Sequence, residues 1–148
     1  MYENGRRYHA YQAGHYVLPN DEPEQDRLDM LHHTYRMMLN GALHLVKLEK
    51  PVHRVLDIGT GTGIWAMDFA DAHPEAEVIG VDLSPIQPSW TPPNCMFEVD
   101  DIEKPWTWKM PFDFVHSRNM GQGIKDWPAY LKQIYECVDR PPCCLGAR

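Results

Sequence analysis

The sequence predicts an α/β fold built on a parallel sheet. After Pro51, short apolar runs of strand length alternate with stretches of helical periodicity. We expect these runs to be buried on both faces and covered by helices, as strands of parallel sheets are. A glycine-rich segment at 59–63 follows the first run, at the point where such a sheet turns from a strand into a helix.

Before this alternation the sequence predicts an arm and one helix. The first twenty residues interleave four tyrosines with arginines and histidines, without a helical or a strand period, and we expect an extended arm that packs on the domain. Residues 24–40 carry apolar side chains at helical spacing. Asp21 or Glu22 is the expected N-terminal cap of this helix, and Asn40-Gly41 is its expected end.

Two adjacent histidines, His32 and His33, lie on this predicted helix. Side chains of adjacent helical residues point about 100° apart, so the pair converges poorly on one metal ion. We expect one histidine to be partly buried and the other to lie in solvent, and the sequence predicts no metal site.

Six elements are predicted after Pro51. A proline-rich loop between the second and third strands excludes a long regular helix there. The last helix is amphipathic, and the first begins directly after the glycine-rich segment. The predicted strands span 53–58, 77–82, 96–99 and 112–115, and the predicted helices span 64–72 and 127–138.

Length and composition exclude several classes of protein. The 148 residues suffice for one domain with a core, and the net charge of −7 argues against a surface for nucleic acids. No run approaches the roughly 18 apolar residues of a membrane span, and residues 1–16 lack the apolar region of a signal peptide. The cysteines match neither a common zinc spacing nor a disulfide scaffold, so we expect a reducing compartment, the cytoplasm or the nucleus. They are Cys95, Cys137, Cys143 and Cys144.

The glycine-rich segment predicts a ligand site. Gly59, Gly61 and Gly63 allow the backbone to turn sharply off the strand and to approach a ligand closely. The next helix begins at about 62–64, so its free N–H groups and the positive end of its dipole face the same crevice. This arrangement favours a small ligand with negative or polar groups.

Four residues select between candidate ligands. A dinucleotide fingerprint would place its third glycine at position 64, where this sequence has Ile64. Asp57, just before the loop, disfavours a diphosphate and favours an ammonium group, and therefore a zwitterionic ligand over NAD. Asp82 ends the second predicted strand, where it is placed to accept hydrogen bonds from both hydroxyls of a ribose. Asp101, just after the third strand, is placed to accept one from an adenine amino group.

Longer stretches of the sequence carry a family resemblance. They are VLDIGTGTGIWAMDFA, VIGVDLSPIQP, FEVDDIEKPW and FDFVHSRNM, and before them ENGRRYHAY and GHYVLPNDEPEQDRLDMLHH. Over about residues 3–138 the chain resembles the class I S-adenosylmethionine-dependent methyltransferases, and more closely the fungal LaeA-like (TAM-domain) group, which includes regulators of secondary metabolism.

The resemblance implies a Rossmann-like core and S-adenosylmethionine as the cofactor. It divides the chain into an N-terminal arm and helical cap (1–50), a partial cofactor-binding core (51–138) and an irregular tail (139–148). By position, the residues around the loop would hold the aminoacyl end of the cofactor, and those after the next two strands would hold the ribose and the adenine. The implied cofactor-binding residues are Asp57, Gly59, Thr60, Gly61, Gly63, Asp82, Leu83, Asp101 and Ile102.

The same resemblance implies direct displacement of the methyl group by a nucleophile of the acceptor. The stretch 116–118 would lie near the sulfonium and the acceptor, and His116 is the candidate base for an acceptor that must lose a proton. Packing or hydrogen bonding within the protein is the alternative role of His116. Tyr11 and Tyr16 are candidates for a lid over the cofactor.

The C-terminal residues depart from the family pattern, which resembles a seven-stranded sheet. After the last predicted helix the sequence reads DRPPCCLGAR, with two consecutive prolines and no strand period. We therefore expect a core in which the later strands are missing, as in a truncated gene product or an altered reading frame. The fourth strand would then keep an unpaired edge, which favours aggregation or pairing with another protein.

Two functions remain open from the sequence. The first is a methyltransferase that acts on an unidentified acceptor, connected by the resemblance with fungal secondary metabolism. The second is a catalytically inactive fragment that binds S-adenosylmethionine and acts as a protein-interaction module. A nicotinamide-dependent oxidoreductase is disfavoured by Ile64 and Asp57. The expected partners are a methyl acceptor and a protein at the sheet edge, with neither nucleic acid nor a membrane.

Overall fold

A parallel sheet with helices on its faces forms the centre of the structure. The structure is a computed structural model that describes residues 2–3, 6–8, 19–121 and 123–138. In chain order the elements are β1 (Tyr2–Glu3), β2 (Arg6–Arg7), α1 (Glu22–Met38), β3 (Arg54–Ile58), α2 (Ile64–Ala72), β4 (Glu77–Asp82), β5 (Cys95–Val99), β6 (Phe114–Ser117) and α3 (Trp127–Val138).

Strands β3 to β6 form one sheet in the order β5-β4-β3-β6, and all neighbouring strands are parallel. The predicted parallel α/β sheet is thus confirmed. The chain runs outward from β3 to β5 and then returns to the other side of β3, where β6 pairs. Such a reversal of strand order opens a crevice at the carboxyl ends of the strands. In register, Asp57 of β3 lies between Gly80 and His116.

Both faces of the sheet are buried, which explains the continuous apolar runs of β3 and β4. On one face Val55 and Val78 pack with Trp65 and Phe69 of α2. On the other face Leu56, Ile58, Ile79 and Val81 pack with Phe112, Ile124 and Tyr130. The central strand therefore contributes side chains to two clusters.

Three elements have the predicted bounds, namely α2, β4 and α3. The fourth sheet strand was predicted at 112–115 but spans Phe114–Ser117. The reason is the carboxylate of Asp113, which accepts hydrogen bonds from the backbone N–H groups of His53 and Arg54 at 2.7 and 2.9 Å. Asp113 thus stabilises the turn before β3 with its side chain, and the pairing of β6 with β3 starts at the next residue, Phe114.

Helix α1 begins and ends two residues earlier than the predicted 24–40. Asp21 is its cap and accepts from the N–H of Glu24 at 3.1 Å. The helix ends where Asn40 and Gly41 adopt positive φ angles of 53° and 86°. His32 is buried and His33 is exposed, as predicted.

The described part of the arm packs on the start of α1. Strands β1 and β2 form an antiparallel ribbon, and the Arg6 guanidinium donates to the Asp21 carboxylate at 2.5 and 3.0 Å. This hydrogen bonding lowers the pKa of Asp21 to about 2. Tyr11, Tyr16 and residues 139–148, which carry the predicted lid and tail, lie outside the described residues.

Two features are absent from the described ranges. Among the helices placed there, none is long and apolar enough to cross a membrane. Within the same ranges, no three His, Cys, Asp or Glu side chains are grouped as a metal ion would require.

Asn94 joins the end of α2 to the start of β5, and its substitution tests this part of the fold. Its side-chain amide donates to the carbonyl groups of Ala70, His73 and Ala76 at 3.0, 3.1 and 2.9 Å. We expect Asn94→Ala to lower the free energy of unfolding by about 1–3 kcal/mol, measured by urea denaturation, because these carbonyls lose a donor. Asn94→Asp should be no less destabilising, since a carboxylate cannot donate. A loss below about 0.5 kcal/mol for both variants would contradict this role.

Candidate functional site

A cavity of about 560 Å³ lies at the carboxyl edge of the sheet. Its walls are the ends of β3, β4 and β6, the loop that follows β5, and one side of α1. This volume falls in the range of sites that enclose a small molecule. The crevice expected from the strand order is therefore present.

The loop after β3 forms the floor of this cavity. Its Gly59, Gly61 and Gly63 have positive φ angles of 68°, 58° and 82°. A Cβ on Gly63 would lie 2.3 Å from the ring of Phe97, and one on Gly59 would lie 2.2 Å from Sδ of Met120. The positive φ angles and these short contacts disfavour a side chain at either position. The backbone of Gly59 and Gly61 lines the cavity.

Asp57 is buried beneath the loop, with 2% of its surface exposed. Its Oδ2 accepts the Thr60 hydroxyl at 2.6 Å, and its Oδ1 accepts Nδ1–H of His116 at 2.7 Å. A carboxylate only accepts, so Nδ1 of His116 carries the hydrogen and, in the neutral ring, Nε2 is the acceptor. The ring stacks on Trp65 at a centroid distance of 3.7 Å. His116 lines the cavity. The hydrogen bond to Asp57 determines its tautomer, and the stacking on Trp65 determines the plane of its ring.

Asp82 lies at the end of β4, beside the loop. Its Oδ2 accepts the N–H of Gly61 at 2.9 Å, and its Oδ1 accepts the N–H of Ser84 at 2.9 Å. Each carboxylate oxygen can accept more than one hydrogen bond. Asp82 is thus rigidly placed at the cavity wall with capacity for a ligand hydroxyl, and half-buried Leu83 lies next to it.

The loop after β5 makes one end of the cavity acidic. Asp100, Asp101 and Glu103 all line it. The Asp101 Oδ1 accepts the backbone N–H of Glu103 at 3.1 Å, and the Ile102 carbonyl accepts the indole N–H of Trp106 at 2.9 Å. These bonds hold the loop in a turn whose acidic side faces the cavity.

Helix α1 covers the cavity, and the sequence analysis expected a helical cap within 1–50 but not which side chains of the helix line the ligand space. Leu28 and Leu31 line the space, and the Thr62 hydroxyl donates to the Asp29 carboxylate at 2.6 Å. These leucines were assigned only to an apolar helix face. Their helical spacing is the same whether a helix covers a core or a ligand cavity, so no signal in the sequence distinguishes the two.

Arg118 lies directly after β6 and joins that strand to α1. The guanidinium carbon lies 4.5 Å from the ring centroid of Tyr35, and Nη2 lies 3.1 Å from Nδ1 of His32. Burial lowers the pKa of Arg118, although nearby Asp57 opposes this shift. A half-buried cation therefore faces the cavity at the end opposite to the acidic loop.

The structure brings most of the sequence-predicted site residues to one cavity. Gly63 is the exception, because it lies against Phe97 at the start of α2 rather than on the cavity wall. The residues that line the cavity are Asp57, Gly59, Thr60, Gly61, Asp82, Leu83, Asp101, Ile102 and His116.

Comparisons with known proteins agree with this geometry. Residues 30–141 match the family model described as a methyltransferase domain. The methyltransferase pytC of Aspergillus terreus is 56% identical over 135 residues, which cover 90% of this chain and 42% of pytC. The secondary metabolism regulator LAE1 of Cochliobolus heterostrophus is 44% identical over 138 residues, 90% of this chain and 45% of LAE1. The chain thus spans less than half the length of these curated relatives.

Solved structures share the fold at low sequence identity. A chain of the complex between the Haloferax volcanii Trm112 methyltransferase activator and a methyltransferase superposes with a TM-score of 0.64 at 20% identity, covering 82% of this chain and 54% of that one. A TehB-like SAM-dependent methyltransferase from Corynebacterium glutamicum gives a TM-score of 0.51 at 16% identity, covering 80% and 68%. The sheet is therefore a partial Rossmann-like methyltransferase sheet. Together with the family match, this shows that the chain belongs to the methyltransferase-domain family and is a LaeA-like class I member of it.

Proposed function

We propose that this chain binds S-adenosylmethionine in the cavity and transfers its methyl group to an acceptor. The observation that carries the proposal is the convergence of Asp57, Asp82 and Asp101, from three successive strands, on one space floored by bare backbone. Residues 51–138 supply this core, and the helix within 1–50 supplies its cover.

The residues present fit such a donor. Asp82 retains acceptor capacity for the ribose hydroxyls, and half-buried Leu83 offers an apolar surface to the adenine. Asp101 is positioned for the adenine amino group, and the N–H of Ile102 is the backbone group for the adenine edge, because the Ile102 carbonyl already binds Trp106. Asp57 is buried and doubly hydrogen-bonded, so it acts on the ammonium and the sulfonium through its charge.

The chain's own residues would position the reactants and handle one proton. The donor, when bound, supplies a methyl group that is already activated for displacement. The loop backbone and the cover by α1 align the reactants and exclude water. His116 accepts the acceptor's proton at Nε2, since Nδ1 is held by Asp57 and no group in the described ranges occupies Nε2.

The relatives support a proposal for the role of the chain, and the cysteines support one for its location. Relatives named for secondary metabolism regulation favour an acceptor or a role in that metabolism.

Burial raises the pKa of Cys95 to about 11, so this thiol stays protonated and unreactive. Free Cys95 and Cys137 are compatible with a reducing compartment, the cytoplasm or the nucleus.

A second candidate function is protein interaction without catalysis. Within the described residues β6 pairs only with β3, so its other edge is open to a further strand. Beside it, α3 exposes an apolar stripe of Trp127, Leu131, Tyr135 and Val138. One solved structure that shares the fold is a complex with an activator protein. A chain that binds the donor without catalysis and docks a partner protein at this edge would have the same cavity, so the cavity is compatible with both candidate functions.

Titration calorimetry of the 148-residue chain tests the donor assignment. We expect S-adenosylmethionine to bind and NADH not to bind, because Asp57 disfavours a diphosphate. Asp82→Asn should weaken S-adenosylmethionine binding by about 10- to 100-fold through loss of charged hydrogen bonds. Glu98→Gln, the same kind of change at an exposed residue away from the cavity, is the control and should have little effect. Tighter binding of NADH than of S-adenosylmethionine would overturn the proposal.

The charge of Asp57 is tested by comparing two ligands that differ at sulfur. Asp57→Asn retains the shape and removes the charge, so S-adenosylmethionine, with its sulfonium, should bind about tenfold more weakly. S-adenosylhomocysteine, with a neutral thioether, should lose less affinity in the same variant. Asp71→Asn, on the exposed end of α2, is the matched control. Unchanged affinity for both ligands in Asp57→Asn would show that Asp57 does not serve the aminoacyl end.

Transfer is tested with donor labelled at the methyl group and a fungal cell extract as the source of acceptors. We expect labelled product with the unaltered chain, and a loss of about 100-fold or more with His116→Gln because the acceptor's proton has no base. Donor affinity of that variant should stay within about threefold of the original. His33→Gln, at an exposed position of α1, should transfer normally. Donor binding without any product would favour the interaction module instead.

A further inference from the structure

The cavity contains a cation whose role the proposed function leaves open. Arg118 is half-buried and lines the cavity. Among the residues that the structure describes, no Asp or Glu carboxylate forms an ion pair with its guanidinium. A second arginine of the cavity wall, Arg27, differs in this respect, because it is paired with Glu24 at 2.7 Å. Within the described ranges Arg118 is thus a cation with no carboxylate at ion-pair distance, and the charge of Asp57 acts on it only from farther away.

Helix α1 sets the direction of the Arg118 guanidinium. An arginine only donates, so Nδ1 of His32 accepts from Nη2, and the hydrogen of the neutral His32 ring is on Nε2. That Nε2–H donates to Asp68 at 3.0 Å, and Asp68 is also paired with Arg36 at 2.9 Å. Together with the Tyr35 ring at 4.5 Å, this chain of contacts orients Arg118 without neutralising it.

Among the residues with described positions, His32 is the one hydrogen-bond acceptor of this guanidinium. A guanidinium carries five N–H donors, and His32 takes one of them. A desolvated cation is destabilising unless an anion compensates it. The arrangement is therefore complementary to an anion that enters the cavity, and a planar carboxylate matches the fork of an arginine.

The sheet register places Arg118 beside the glycine loop. Ser117 lies opposite Ile58 in the pairing of β6 with β3, so the next residues along the two strands are Arg118 and Gly59. Asp82 and Asp101 lie toward β4 and β5, on the other side of β3. Arg118 is thus at the end of the cavity that receives the amino-acid part of the donor in the proposed function.

We propose that Arg118 binds the α-carboxylate of S-adenosylmethionine, and this rests on the proposed function. The donor's ammonium then lies under the influence of Asp57, and its carboxylate pairs with Arg118. Opposite charges on two adjacent strand ends thereby orient the amino-acid part, and with it the sulfonium. His32 and Tyr35 are positioning residues for Arg118.

The test compares S-adenosylmethionine with decarboxylated S-adenosylmethionine by titration calorimetry. Arg118→Gln should weaken the binding of S-adenosylmethionine by about 10- to 100-fold. The same variant should bind the decarboxylated ligand no more weakly than the original chain, because it removes a cation that repels the sulfonium. Arg118→Lys keeps the charge but not the forked geometry of the guanidinium. Its affinity for S-adenosylmethionine should lie between those of the unaltered chain and of Arg118→Gln. The ratio of the two affinities within one variant is independent of how much of that variant is folded.

Arg27→Gln is the matched control, since it removes an arginine of the same cavity that already has a carboxylate partner. It should leave the ratio of affinities unchanged. Equal losses for both ligands in Arg118→Gln would mean that Arg118 only shapes the cavity, and no loss for either would mean that its anion belongs to the acceptor. Both results overturn the assignment. If the original chain binds neither ligand, the proposed function fails, which is a different result from either of these.

Discussion

The buried carboxylate of Asp57 is the interaction on which the site depends. It joins the end of β3, the glycine loop through the Thr60 hydroxyl, and β6 through the His116 imidazole. A carboxylate with 2% exposure is strongly destabilising unless donors satisfy it, and here both oxygens are satisfied. The loop conformation and the ring plane of His116 are therefore consequences of burying one charge. Trp65 completes the arrangement by stacking on that ring.

Charge is distributed unequally along the cavity. Asp100, Asp101 and Glu103 lie at the end near β5 with the lysines Lys104 and Lys125 beside them, whereas Arg118 lies at the end near β6 without a carboxylate partner among the described residues. A ligand that has hydrogen-bond donors at one end and a zwitterion at the other complements this distribution. The distribution follows from strand order, because each strand of the sheet delivers the residues after its carboxyl end to a different part of the cavity.

Local sequence patterns predicted most of the fold. The bounds of α2, β4 and α3 were predicted correctly, since each element has strong periodicity and clear end signals. The error in the bounds of β6 arose because a side chain binds backbone that is distant in the sequence. Asp113 caps the start of β3 and so delays β6, and the two N–H groups that it binds lie about sixty residues earlier in the chain. The arm was predicted to pack on the domain, and the Arg6–Asp21 contact shows that its described part does so.

The sequence by itself determined the glycine loop, the three acidic residues and their attachment to successive strands, because these depend on spacing along the chain. Only the tertiary structure decided that Leu28 and Leu31 of α1 line the cavity, that Met120 and Phe97 close against the glycines, and that Arg118 is oriented by His32. These contacts join residues more than thirty positions apart, such as His32 and Arg118. No local pattern encodes such a meeting, since an amphipathic helix is stabilised equally by any apolar surface that it can cover.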